Sequence, residues 1–87
     1  MSATQEVFGF LKDLVLNVTD VEEGQVQPDA PVADLGLESM DLVELQLTVR
    51  KKFGVEVPAR AFADGRLSTL GQVTDYITEQ MSLKQAA

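Results

Sequence analysis

The fold of this 87-residue chain is decided by the stretch Asp34-Leu35-Gly36-Leu37-Glu38-Ser39-Met40-Asp41-Leu42-Val43-Glu44-Leu45 and its continuation, Gln46-Leu47-Thr48-Val49-Arg50-Lys51-Lys52-Phe53-Gly54. Apolar residues recur at helical spacing after Ser39, which predicts a helix over residues 39–53. Gly54 then suits the left-handed conformation that often follows the last residue of a helix. Ser39 stands where a helix commonly begins, so its side chain is a candidate for the N-terminal cap.

The predicted helix carries apolar residues on two sides. When each residue advances by about 100° around the axis, one sector contains Leu42, Leu45, Val49 and Phe53. A second sector, roughly opposite, contains Met40, Val43 and Leu47. Two interpretations stay open at this point: the helix is central and packed on both sides, or the second sector stays exposed and docks a partner.

Further helices are predicted on either side of this one. A helix near residues 4–18 has one apolar face, formed by Val7, Leu11, Leu14 and Val18. Residues 19–38 then form a loop that is long by ordinary standards. Pro58 opens a short helical segment that reaches Ala63. Thr69 and Gln72 fit a capping box at the start of a last helix.

These elements predict an all-α fold: a small bundle of three main helices plus one short helix, with a long loop between the first two. We expect a single domain over residues 1–87, because the chain is too short for two. Its core covers about residues 5–81, and residues 82–87 form a frayed tail.

Composition narrows the classes of function. The 7 Lys and Arg against 14 Asp and Glu give a net charge of −7, which disfavours binding to nucleic acid or to an anionic membrane. The chain has no His and no Cys, which excludes nucleophile–histidine dyads and the usual zinc sites, and no metal motif is present. The sequence shows neither a signal peptide nor a membrane-spanning run. We therefore expect a cytoplasmic protein that is not an enzyme.

The stretch Asp34 to Leu45 resembles the hallmark of the acyl carrier protein family, in which Asp-Leu-Gly-x-[Asp/Glu]-Ser opens the second helix. Further landmarks of the family stand in order: Val43-Glu44-Leu45, Phe53, Val57-Pro58, Ser68-Thr69-Leu70 and Asp75-Tyr76-Ile77. The resemblance covers roughly residues 5–81. It implies a carrier whose serine holds a 4′-phosphopantetheine arm, derived from coenzyme A, with acyl groups bound to the arm as thioesters.

The resemblance also implies roles for particular residues. Ser39 is the attachment residue, with Gly36 and Glu38 beside the arm; the alternative for Ser39 is an ordinary helix cap. The partner-docking residues are Met40, Asp41, Val43, Glu44 and Leu47. The lining of a bound acyl chain consists of Val32, Val49, Val57 and Leu67, and each of these could instead be an ordinary core residue.

The implied partners are a phosphopantetheinyl transferase and enzymes of the ketosynthase, acyltransferase or acyl-ligase type, acting on a monomer. Glu38, Met40, Arg60 and the loop Asp64-Gly65-Arg66 depart from the usual carriers of fatty-acid synthesis, which favours polyketide or other specialised acyl chemistry. The basic run Arg50-Lys51-Lys52 stands where those carriers are commonly acidic, so we expect poor turnover with enzymes of fatty-acid synthesis. An aminoacyl or peptidyl carrier is an alternative, although Leu37-Glu38 does not match that pattern. A second alternative is an unmodified helical adaptor, which would gain no mass when incubated with a transferase and coenzyme A.

Overall fold

The computed structural model describes residues 3–86, and within them the fold is all-α, as predicted. Its helices are α1 (Ala3–Val18), α2 (Ser39–Phe53), α3 (Ala59–Ala63) and α4 (Leu70–Ala86). No strand occurs among these residues, which contain only an isolated bridge between Pro31 and Thr69. Over the same residues, none of the helices has the length and apolar character needed to cross a membrane.

The core lies where the apolar faces of the long helices meet. The helix α1 packs chiefly against α4, and the main cluster of fully buried residues includes Val7, Leu11, Leu45, Val49, Val73 and Ile77. The ring of Phe10 packs edge-on against that of Phe53, with 5.2 Å between centroids. One face of α2 is therefore fixed against the bundle by aliphatic and aromatic packing.

The long segment between α1 and α2 is more ordered than a plain loop. It contains two short 3-10 turns, Glu23–Gln25 and Val32–Leu35, which the sequence pattern did not reveal. Leu35 is almost fully buried, so the segment is pinned to the core beside the start of α2. Main-chain hydrogen bonds also tie it to α4, including one of 2.7 Å from the amide of Gly71 to the carbonyl of Pro28.

The predicted helix ends are confirmed at two places. Gly54 follows α2 in the left-handed conformation, with φ of 70°, and its amide donates to the carbonyl of Arg50. At the start of α4, the amide of Thr69 donates to Oε1 of Gln72, and the amide of Gln72 donates to Oγ1 of Thr69. Both devices satisfy backbone groups that the helix itself leaves without partners.

Residues 82–86, expected to form a frayed tail, are helical in the structure, because α4 continues to Ala86, and fraying of this helix end stays a prediction. No Gly or Pro interrupts this segment, and Leu, Lys, Gln and Ala all favour helix. The ammonium of Lys84 also donates to the carbonyl of Gly54, which ties the end of α4 to the end of α2. Ala87 lies outside the described residues.

The turn between α3 and α4 is closed by a local ion pair. The guanidinium of Arg66 lies 3.0 Å from a carboxylate oxygen of Asp64, whose other oxygen accepts the amide of Arg66. The hydrogen bond from this amide, aided by the nearby positive charge, lowers the pKa of Asp64. The Asp64–Arg66 pair lies in the turn between α3 and α4, far along the chain from the start of α2.

Candidate functional site

Ser39 is the first residue of α2, and its side chain is exposed. The cap of this helix is Glu38 and not Ser39, so the capping interpretation of the serine is wrong. Glu38 has an extended backbone, and its amide donates to Oδ2 of Asp41 at 3.0 Å. Within residues 3–86, the Ser39 hydroxyl makes no hydrogen bond. An exposed and unengaged hydroxyl is therefore presented on the first turn of the helix.

Gly36 forms the bend that leads into this turn. It has a φ of 74°, a conformation that favours glycine, and a Cβ atom added there would meet no atom within 4 Å. Leu35, just before it, is buried in the core. The bend is thus anchored on one side and open on the other. The role of Gly36 beside an attached arm stays a prediction.

The chain on either side of Ser39 is rich in acidic residues. Asp34, Glu38 and Glu44 are exposed, and Asp41 is half-buried. The free amides at the start of α2 and the helix dipole still favour a phosphate there. Since neither His nor Cys occurs anywhere in the chain, no such group can activate the hydroxyl. The arrangement fits a serine that a second, basic enzyme recognises and modifies.

The second apolar sector of α2 is exposed, so the interpretation of a helix buried on both sides is wrong. Met40 is 81% exposed, Val43 52% and Leu47 53%, whereas Leu45 on the other side is 2% exposed. We call Met40, Val43 and Leu47 the α2 patch. Glu44 is exposed on the same side of the helix as the α2 patch. The patch is apolar with an acidic neighbour, and its docking role remains a prediction.

The four residues expected to line an acyl chain are packed together in the core. Val32, Val49, Val57 and Leu67 belong to one cluster and are between 0% and 8% exposed. The structure therefore confirms that they lie together, and their role as a lining stays a prediction. An open groove lies nearby, between α2 and α4, and of the four only Val57 contributes to it.

The sequence interpretation missed the polar residues of this groove, namely Gln46, Arg50, Tyr76, Gln80 and Lys84. A signal was available for two of them, because Gln46 and Arg50 follow Ser39 by seven and eleven positions. That spacing places all three on one face of a helix. Nothing in the sequence indicated that α4 would bring Tyr76 and Lys84 opposite that face.

Residues 9–77 match the family model described as the phosphopantetheine attachment site. The acyl carrier protein of Thermotoga maritima is 32% identical over 82 residues, covering 93% of this chain and 99% of that protein. The meromycolate extension acyl carrier protein of Mycolicibacterium smegmatis is 35% identical over 79 residues, covering 88% of this chain and 78% of that protein. A non-reducing polyketide synthase of Preussia isomera is 34% identical over 89 residues, covering 98% of this chain and 4% of that protein. The family match spans the whole junction from the Val32–Leu35 turn through α2.

Proposed function

The chain belongs to the acyl carrier protein family, whose members are non-catalytic carriers with a phosphopantetheine group, and on that premise we propose that Ser39 holds this group. The observation that carries the proposal is the exposed hydroxyl of Ser39 on the first turn of α2, without a hydrogen-bond partner in residues 3–86. When attached, the group supplies the thiol on which acyl groups travel as thioesters. The chain itself contributes position: it fixes the attachment point and leaves it open.

The residues around Ser39 fit a bound phosphodiester. Gly36 leaves open space at the bend, and the first amides of α2 face the negative charge. Since Glu38 is the cap, the Ser39 oxygen is free to attack the pyrophosphate of coenzyme A on the transferase, which would take the hydroxyl proton as the nucleotide part of coenzyme A leaves, without disturbing the helix start. The α2 patch beside it offers an apolar surface to the transferase and to later enzymes of the ketosynthase, acyltransferase or acyl-ligase type.

Intact-mass spectrometry after incubation with a transferase and coenzyme A tests the attachment. We expect one added arm on the native chain and none on Ser39→Ala. Ser82→Ala is the matched control, because Ser82 is also exposed on a helix but lies on α4, and it should gain the arm normally. An arm on Ser39→Ala would overturn the assignment, and so would an unmodified native chain across several transferases.

We further propose that this carrier serves polyketide or other specialised acyl synthesis. The support is the exposed run Arg50-Lys51-Lys52 at the end of α2, where carriers of the fatty-acid type are commonly acidic. An enzyme that binds a wholly acidic helix would be attracted at Glu44 and repelled at Lys51. Each exposed charge contributes only about 0–1 kcal/mol, yet several together affect on-rate and partner choice.

Charge reversal tests this pathway proposal. Replacing Arg50, Lys51 and Lys52 by Glu should raise kcat/KM for fatty-acid synthesis enzymes at low salt. The gain should shrink as salt rises, because exposed charges are screened. As a comparison matched in charge, Lys51→Glu alone should raise kcat/KM more than Arg60→Glu alone, since Arg60 lies on α3. A kcat/KM that stays unchanged across the salt series would refute the pathway proposal and leave the Ser39 assignment standing.

A further inference from the structure

The second half of α2, the extended segment 54–58 and the middle of α4 enclose an open groove of about 980 Å³. Its floor is this extended segment, which includes Val55 and Val57. Its walls combine apolar and polar groups: Leu47, Gln46 and Arg50 come from α2, and Tyr76 and Lys84 come from α4. The groove is therefore a built, mixed-polarity surface and not a gap between apolar side chains.

The side chains of the walls are fixed by the main chain of the floor. The side-chain Nε2 of Gln46 donates to the carbonyl of Val57 at 2.6 Å, and the hydroxyl of Tyr76 donates to the carbonyl of Glu56 at 3.3 Å. The ammonium of Lys84 donates to the carbonyl of Gly54. Both helices are thus attached to the same short segment, which gives the groove a defined shape before any ligand arrives.

These contacts leave hydrogen-bonding capacity facing the groove. The guanidinium of Arg50 lies 3.9 Å from a carboxylate oxygen of Glu56 and has further N–H donors. The ammonium of Lys84 donates one of its three protons to the carbonyl of Gly54. The charged lining comprises Arg50 and Lys84 against Glu56, a net positive charge in a chain of net charge −7. The free donors of Arg50 and Lys84 match ligand groups with carbonyl or carboxylate oxygens, which a bare alkyl chain lacks.

The groove is in line with Ser39. Positions 39, 43, 46 and 50 are spaced by four, three and four, so they form one stripe along α2. At 1.5 Å per residue, Leu47 and Arg50 lie about 12 and 16 Å along the axis from Ser39. A phosphopantetheine arm has about fourteen bonds between the serine oxygen and the thiol, which reach roughly 16 Å if extended like a polypeptide backbone. An arm lying on this stripe brings its thiol to the groove.

The core offers no comparable opening at the four residues expected to line it. Val49, Val57 and Leu67 are between 0% and 4% exposed and belong to one packed cluster. Admitting a long alkyl chain there requires these residues to separate, and separating packed aliphatic side chains loses their contacts. A short polar acyl group in the groove avoids that cost.

We propose that the groove between α2 and α4 holds the thioester end of the arm together with a short acyl group that bears an additional carbonyl or carboxylate oxygen. This inference rests on the proposed function, since it requires the arm at Ser39. Arg50 and Lys84 receive the distal oxygen of the acyl group, and Gln46 lines the path from Ser39. The cargo class follows from the charged donors of the groove: they retain an oxygenated short acyl group there longer than a saturated chain of similar length.

The test uses the ¹⁵N-labelled carrier with its arm attached, loaded with malonyl, butyryl or octanoyl groups. Two measurements are made: amide chemical shifts relative to the unloaded form, and the rate at which hydroxylamine cleaves the thioester. Malonyl loading should move the signals of Gln46, Arg50 and Tyr76 more than those of Val49 and Leu67. Arg50→Gln/Lys84→Gln should speed cleavage of the malonyl thioester by about two- to fivefold, the size expected for contacts of exposed charges.

A matched variant separates the groove from overall charge. Lys51→Gln/Arg60→Gln removes the same positive charge from exposed positions outside the groove, so malonyl cleavage should keep its native rate. Butyryl cleavage should be equal in all three proteins. Equal malonyl rates in the three proteins, or malonyl shifts confined to Val49 and Leu67, would overturn the proposal. The mass spectrum taken before loading distinguishes failure of the two proposals. A missing arm refutes the Ser39 assignment. An attached arm without the expected amide shifts and cleavage rates refutes only the proposal about the groove.

Discussion

Truncating two leucines of the same helix tests the division of α2 into a packed side and a docking side. Leu45 is 2% exposed and Leu47 is 53% exposed, so Leu45→Ala and Leu47→Ala are the same chemical change in opposite surroundings. Both remove three carbons and leave a good helix former. Any difference between them therefore reports what each side chain contacts.

The expected stability losses follow from burial. Leu45 lies in the main cluster with Val49, so its truncation loses the transfer free energy and also leaves a cavity, at a cost of about 2–5 kcal/mol. Leu47 has lost only about half of its surface to packing, so its truncation should cost less than about 1 kcal/mol. Urea unfolding at constant m-value measures both numbers on the same scale.

The expected losses of recognition run the other way. Leu47→Ala should lower kcat/KM of a phosphopantetheinyl transferase by about fivefold, the size typical of a contributing interface position. Leu45→Ala should leave kcat/KM near the native value under conditions where the variant is folded. Equal stability losses in the two variants would refute the assigned faces of α2. A transferase that is indifferent to Leu47→Ala would refute the docking role of the α2 patch.

Three further changes probe the frame around the site. Gly71→Ala should destabilise the fold by about 1–3 kcal/mol in urea unfolding, within the usual range of single changes, because its new methyl carbon would lie 2.8 Å from the carbonyl oxygen of Pro28. Gly9→Ala on α1, where a methyl group meets nothing within 4 Å, should be neutral or stabilising. A larger loss of stability for Gly9→Ala than for Gly71→Ala would contradict the close approach of Gly71 to Pro28. Gln72→Ala should lower the free energy of unfolding by about 0.5–2 kcal/mol through loss of the capping box with Thr69. A melting temperature equal to the native one would show that the capping box is dispensable. Met40→Ala should leave urea unfolding nearly unchanged, because Met40 is 81% exposed, while lowering transferase kcat/KM as Leu47→Ala does.

The sequence predicted α2 well because its signals are local. The apolar spacing from Ser39 onward and the glycine at position 54 gave the bounds 39–53 that the structure has. The capping box of α4 was predicted for the same reason, since Thr69 and Gln72 contact each other within one turn. Such features depend on residues three or four positions apart, and the chain itself carries that information.

The remaining features depend on distances that a single sequence does not contain. The sequence left open which apolar side of α2 was buried, because the answer depends on where α1 and α4 pack. The groove requires Tyr76 and Lys84 to approach a segment 20 and 30 positions earlier in the chain. The cap of α2 was misassigned by one residue, because Glu38 and Ser39 are both able to accept a backbone amide and only the backbone angles distinguish them.

Attachment of the arm at Ser39 is tested most directly by locating the arm within the chain after modification by a transferase and coenzyme A. Cleavage after Lys12 and Arg50 releases residues 13–50, a fragment in which Ser39 is the only serine. Fragmentation of this peptide in a mass spectrometer should place the whole added mass on Ser39, and the fragment 67–84, which contains both Ser68 and Ser82, should be unmodified. An arm on Ser68 or Ser82, or on Thr19 or Thr48 within the fragment 13–50, would show that Ser39 is not the attachment residue.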